Sequence, residues 1–247
     1  MSRFGIGFPF GPVFYPPVPG NDTFTKVLLH MDGSNGGTSF IDSNAGGSAH
    51  TWTATGSVVT STINKKYGNA SFYQPTAAGS SLSTPYATEF QNASSDFTVD
   101  FWANLDGASL GSPQTIAALG DQNSANGQRK FVVVLTNTGI IRGVAPKSGG
   151  FSINADSASA IPTTGWHHIA YQRSGSTYTA YLDGVAGTSV TDSGIISAAT
   201  GPLVIGANYF SPSSYSAQFI GYIDEFRYSV GIARYSGNFT PPAGPYN

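Results

Sequence analysis

Hydrophobic positions come in short runs from Lys26 onward, and the runs alternate rather than recur at helical spacing. In "FTVDFWANL" (97–105), Phe97, Val99 and Phe101 fall on one side and Thr98 and Asp100 on the other. A period of two is the signature of a half-buried strand. The same reading predicts strands over 26–31, 97–105, 114–119, 130–135, 140–144, 166–173, 177–182, 202–207 and 219–228. Clusters of Gly, Ser, Asn and Asp separate them, which is turn chemistry. In "WHHIAYQRSGSTYTAYLDGVAG" (166–187), Ser174-Gly175 and Asp183-Gly184 each sit between strand-like runs. Such dipeptides mark tight hairpins, because glycine accepts positive φ. Helical periodicity is nearly absent. The pattern predicts an all-β fold: an antiparallel two-sheet sandwich of the jelly-roll kind.

Composition narrows the function classes. Charged residues are 10% of the chain and the net charge is −2, against roughly 25% charged in ordinary soluble domains. No basic footprint argues for nucleic acid. There are no cysteines, so disulfides and thiolate metal sites are excluded. No run of about 18 apolar residues suggests a membrane span, and the start of the chain does not read as a signal peptide. Residues 1–24 stand apart, with five prolines and the aromatics Phe4, Phe8, Phe10, Phe14, Tyr15 and Phe24. Proline fixes φ and removes a donor, so this segment is expected to be an extended arm. Exposed aromatics gain by docking, either across their own domain or into a neighbouring subunit. Residues 25–247 then form the domain proper.

"GYIDEFRYS" (221–229) places Asp224 and Glu225 inside an apolar, aromatic run. Strict alternation puts them on opposite faces, Asp224 with Tyr222 and Phe226, Glu225 with Ile223 and Arg227. A glycosidase needs two carboxyl groups flanking one bond, and two that diverge cannot serve. No Gly-X-Ser-X-Gly, His-Glu-X-X-His or phosphate-loop motif occurs. His167 and His168 diverge for the same reason, one packed and one solvated. Sugar contact calls for aromatic faces beside amides. The segment "ANYFSPSSYSAQ" (207–218), too irregular for a strand, offers Asn208, Tyr209, Phe210 and Tyr215. Trp52 is a further candidate, whereas Trp102 and Trp166 sit in strand motifs and are expected in the core. The 207–218 segment could equally face another subunit or pack on itself.

Four stretches occur together in an order that resembles laminin-G-like domains of the concanavalin A-like lectin and glucanase superfamily. They are "VLLHMDGSNGGTSFIDSNAGG", "FTVDFWANL", "WHHIAYQRSGSTYTAYLDGV" and "FIGYIDEFRYSVGIARYSGNFTPPAGPY". The ending resembles versions found in structural proteins of tailed bacteriophages. The resemblance implies two curved antiparallel sheets over roughly residues 26–245. It also implies a non-enzymatic virion protein, for capsid decoration or the tail, held among other virion proteins through the arm and oligomeric in the particle. The alternative is a receptor-binding module for host surface glycans. By position, a structural calcium in related domains would fall to Asp32, Asp42 and Asp224. The competing expectation is that Asp32 and Asp42 cap turns and Asp224 accepts hydrogen bonds from a neighbouring loop.

Overall fold

The computed structural model describes residues 20–76, 79–91, 95–105, 110–122, 129–146, 152–194, 200–210 and 214–247. The arm residues Phe4, Phe8, Phe10, Phe14 and Tyr15 lie outside the described residues. In chain order come β1 (Thr25–Leu29), β2 (Thr53–Thr55), β3 (Val59–Ser61), β4 (Ser71–Gln74), β5 (Ser81–Thr84) and β6 (Phe97–Asn104). Then follow β7 (Gln114–Gly120), β8 (Arg129–Leu135), β9 (Ile140–Pro146), β10 (Ser152–Ala160), β11 (His167–Ser174) and β12 (Thr177–Leu182). The last are β13 (Val185–Ala186), β14 (Val190–Thr191), β15 (Leu203–Ile205), β16 (Asn208–Phe210), β17 (Ser214–Ser216) and β18 (Gly221–Val230).

These strands make a two-sheet sandwich. One sheet runs β13-β12-β11-β6-β18-β4-β3, with β1 beside β18 and β14 beside β12. The other runs β10-β9-β8-β7-β15-β5-β2, and β16 and β17 pair as a separate hairpin. All nine runs expected from the sequence are strands. The strands without a counterpart there, such as β2, β3, β5 and β10, are rich in Ser and Thr and carry no apolar run. The 207–218 segment is also more regular than expected, since Tyr209 faces Tyr215 in the β16–β17 register. The two glycine turns form as read, with Gly175 at φ 59°, Asp183 at φ 50° and Gly184 at φ 77°.

The core lies between the sheets. Phe97, Val99 and Phe101 of β6 point inward with Phe131, Val133 and Leu135 of β8. Phe97 and Phe131 stack across the gap, centroids 5.9 Å apart. Gly143 of β9 leaves room for the Tyr171 ring, to which a Cβ there would come within 2.0 Å.

One irregularity decides what faces outward. Along β18 the register to β6 runs Asp224↔Trp102 and then Arg227↔Asp100. Residues 225 and 226 therefore share a single partner position. Glu225 takes φ 51°, and this β-bulge resets the alternation. Ile223 and Phe226 both reach the core. Asp224, Glu225 and Arg227 all lie on the outer face, so the expected divergence of the two acids does not occur. Nor does Glu225 pair with Arg227, whose partner is Asp100.

Candidate functional site

The outer face of the nine-stranded sheet is half sealed and half open. Strand β6 presents Thr98, Asp100, Trp102 and Asn104 there, in antiparallel register with β11 and β18. The C-terminal segment 231–247 covers one half. Tyr235 exchanges hydrogen bonds with the Gln172 side chain, Phe239 donates its backbone N–H to Gly184, and the Tyr235 and Phe239 rings stack 3.7 Å apart.

Beneath this strap lies a buried polar network. Arg227 donates to both Asp100 oxygens, at 3.0 and 2.5 Å, and the phenols of Tyr235 and Tyr246 donate to the same carboxylate. Burial pushes the Asp100 carboxyl up, but the Arg227 charge and these donors outweigh it and hold it below its usual range. Burial lowers His168 to about 4, so it is neutral at pH 7 beside the Tyr246 hydroxyl, 3.0 Å away. Arg227 also donates to the Gly20 carbonyl and lies 3.9 Å from the Tyr246 ring centroid.

The two neighbouring acids are each engaged. Asp224 accepts from the backbone N–H groups of Lys66, Tyr67 and Glu225 at 2.8, 3.0 and 2.9 Å. Burial nevertheless pushes its carboxyl up to about 8. Glu225 accepts from the Tyr246 N–H at 2.8 Å and meets His30 Nδ1 at 2.8 Å. The hydrogen bond to Glu225 raises the His30 pKa.

The open half carries a row of side chains across four strands. Trp166, next to β11, falls beside Asn104 of β6, because His167 pairs with Ala103. Asn104 pairs with Tyr222 of β18, and Tyr222 with Tyr73 of β4. Three inter-strand spacings make this row about 14 Å long. Tyr222 and Tyr73 stack at 4.2 Å and 12°, and Trp166 and Tyr222 lie 6.4 Å apart at 57°. Trp166 and Tyr73 are half-buried, and Asn104 and Tyr222 between them are buried. The loop 62–70 walls one flank. Its Asn64 accepts from the Trp166 indole N–H at 2.9 Å, its Lys66 ammonium sits 3.8 Å over the Trp102 ring, and its Tyr67 hydroxyl donates to Pro242 at 2.7 Å.

The expectation that Trp102 and Trp166 belong to the core is thus corrected. Both are outer-face residues, Trp102 buried under Lys66 and Tyr67 rather than between the sheets. The alternation contained this signal, since Trp102 follows the parity of Thr98 and Asp100. Tyr73 had none, because "SFYQ" shows no apolar run.

The residues singled out in the sequence for sugar contact fall on two other surfaces. Asn208, Tyr209, Phe210 and Tyr215 do come together, on the β16–β17 hairpin. Tyr209 and Tyr215 are half-buried with centroids 5.7 Å apart, and Asn208 donates to Gln122 at 2.7 Å. Trp52 borders an open hollow of about 340 Å³ with Phe40, Ile41 and His50. The three acids of the calcium expectation are not gathered. Among the described residues no group of three or more His, Asp or Glu could hold a metal ion. Asp32 accepts from the N–H groups of Asn69 and Ala70. Asp42 accepts from Leu28 and Asn44 and meets His50 Nδ1 at 2.7 Å. His168 is packed as expected, while His167 is not free in solvent but meets Asp183 at 2.7 Å.

This architecture is that of a lectin-like jelly roll. The Laminin_G_3 family model, of the concanavalin A-like lectin/glucanase superfamily, matches residues 76–230, and the chain belongs to that superfamily. Among solved structures it is similar to domain 4 of an extracellular arabinanase from Geobacillus stearothermophilus, in complex with arabinotriose. That match has 17% identity and a TM-score of 0.59, covering 85% of this chain and 94% of that one. It is also similar to the binding domain of botulinum neurotoxin DC in complex with SialylT, at 9% identity and a TM-score of 0.62. The same domain in complex with rat synaptotagmin II gives 10% and 0.61. This chain spans 49% of each of those two toxin chains. At these identities the likeness is one of fold. No curated protein sequence matches the chain.

Proposed function

We propose that this chain is a non-catalytic glycan-binding module whose contact surface is formed by Trp166 and Tyr73 at the ends of the row Trp166–Asn104–Tyr222–Tyr73, with the buried Asn104 and Tyr222 supporting them. One observation carries the reading: on a sheet face otherwise covered by the chain's own C-terminus, Trp166 and Tyr73 stay half-exposed at the two ends of a row whose middle, Asn104 and Tyr222, is buried. Sugar rings offer C–H faces to aromatics, which the half-exposed Trp166 and Tyr73 supply. Trp166 is held in place by Asn64 and Tyr222 by its stack with Tyr73, so little side-chain entropy is lost on contact. The carboxylates of this face favour binding over hydrolysis, because Asp100, Asp224 and Glu225 are each occupied by internal donors. Support also comes from similar folds seen with arabinotriose and with SialylT.

The test is a glycan array followed by titration calorimetry on the best ligand, with Trp166→Ala and Tyr222→Ala. Removing the Trp166 ring, or the Tyr222 ring on which Tyr73 stacks, should weaken binding at least tenfold, about 1.4 kcal/mol. Tyr209→Ala and Tyr215→Ala should leave affinity unchanged. If folded Trp166→Ala and Tyr222→Ala proteins bind as tightly as the parent, the row is not the site.

A further inference from the structure

We propose that the sandwich binds a small monovalent inorganic anion, of the size of chloride, between its sheets at the end where β6 begins, held by the Arg173 guanidinium and the Tyr171 and Tyr178 hydroxyls. Arg173 lies opposite Phe97 of β6 and opposite Tyr178 of β12. Residues opposite each other on neighbouring strands share a face, and Phe97 and Tyr178 belong to the core between the sheets. Tyr171, two residues earlier on β11, takes the same face and is fully buried there. Its ring meets the Phe97 ring edge-on at 5.5 Å. The Arg173 Cζ lies 5.7 Å from the Tyr178 ring centroid, and both phenols sit in the field of the Arg173 charge.

These side chains bring donors together without an acceptor. Arg173 Nε and the Tyr171 and Tyr178 hydroxyl oxygens are buried and have no hydrogen-bond partner. Arg173 is 5% exposed, and its Nη1 reaches the Ser95 carbonyl at 3.4 Å. Among the described residues no carboxylate pairs with it. The acids beside these strands are turned elsewhere, Asp96 to the Gly175 N–H at 2.6 Å and Asp192 to the Gly194 N–H at 2.7 Å. Lys130 brings a second buried cation, its ammonium 5.6 Å from the Phe97 centroid. Burial, and then the Arg173 charge, lower its pKa to about 8, which leaves it mostly protonated at pH 7. Burial raises both phenols above the usual tyrosine range, so both stay O–H donors.

A buried charge is costly unless it is paired. Arginine accepts no hydrogen bond and does not shed its proton, so neutralisation is closed to it. Water would supply lone pairs but no countercharge, whereas an inorganic anion supplies both. One N–H and two hydroxyls suit a single spherical ion. Sulfate or phosphate would bring more oxygens than these three donors can serve.

Thermal unfolding of the full chain at constant ionic strength would compare sodium chloride and sodium bromide with sodium gluconate, whose anion is too large for the site. Chloride at ten times its dissociation constant should raise Tm by about 3–6 °C over gluconate, and bromide should do the same. The Tyr171→Phe/Tyr178→Phe protein keeps both rings and should lose most of that rise. Arg173→Met should lose it entirely. Anomalous diffraction from a bromide-soaked crystal of the parent should show an ion beside Arg173. Equal Tm in chloride and gluconate would overturn the proposal, and so would a chloride-dependent rise that persists in the double variant. An anomalous map without bromide at Arg173 would assign the three donors to water instead, and it decides the matter even where a variant fails to fold.

Discussion

Replacing Asp100 by Ala should unfold this protein far more easily than its removal of a few atoms suggests. Asp100 is fully buried and the Arg227 side chain is 3% exposed. Without the carboxylate, the guanidinium keeps the Gly20 carbonyl and the Tyr246 ring but has no countercharge. Two phenols, Tyr235 and Tyr246, lose their acceptor as well. Breaking a buried pair by removing one partner costs about 3–5 kcal/mol. For a domain of this size each kcal/mol lowers Tm by roughly 2–4 °C, so a fall of about 6–20 °C is expected. Urea unfolding followed by tryptophan fluorescence, with the Asp100→Leu/Arg227→Met double variant, separates the pair from the single deletion. The double variant should recover much of the loss, because no isolated charge remains. The pH dependence has a definite sign. Asp100 has a folded pKa below its unfolded value, so its contribution is present above about pH 4 and lost as pH falls through the folded value. The gap between parent and Asp100→Ala should be steady from pH 8 to 5 and close only in stronger acid. A loss under about 1 kcal/mol, or a double variant as unstable as the sum of the singles, would refute the idea that this pair clamps the strap to the sheet.

The His30–Glu225 contact has the opposite sign. Its raised histidine pKa stabilises the fold below about pH 6.5 and ceases to do so as pH rises through the folded value. His30→Gln should therefore lower Tm most near pH 5.5 and least at pH 8.5, and a pH-independent difference would contradict the assignment. Gly143→Ala drives a methyl group into the Tyr171 ring and should cost about 1–3 kcal/mol, seen as a lower urea midpoint. An unchanged midpoint would mean that the two sheets slide to make room. Calcium and chelator should both leave Tm unchanged, since Asp32, Asp42 and Asp224 are turned to separate sets of donors. A rise of several degrees with calcium would place an ion among them.

The resemblance in four stretches already pointed to the family, and alternation to the sandwich. The polar strands were harder to see. Strand β10, "SINADSASA", buries Ile153, Ala155 and Ser157 in alternation at a sheet edge, so a single large apolar residue is its only hydrophobic trace. The tyrosine hairpin was legible as chemistry but not as structure, because its strands are three residues each.

By itself the sequence determined the class of fold, the inward face of β6, the two glycine turns and the poverty of charge. Each follows from local preference or from a repeat of two along the chain. Tertiary structure alone decided which side of the sheet the acids occupy. A single inserted residue at Glu225 reverses the parity of β18, and nothing in "GYIDEFRYS" marks where the register slips. It also decided which outer residues are covered. That depends on where the strap of residues 231–247 and the loop 62–70 come to rest, through contacts between positions more than 100 residues apart, such as Trp166 with Asn64. Periodicity reports which face a side chain takes. It carries no information about what distant segment lies over that face.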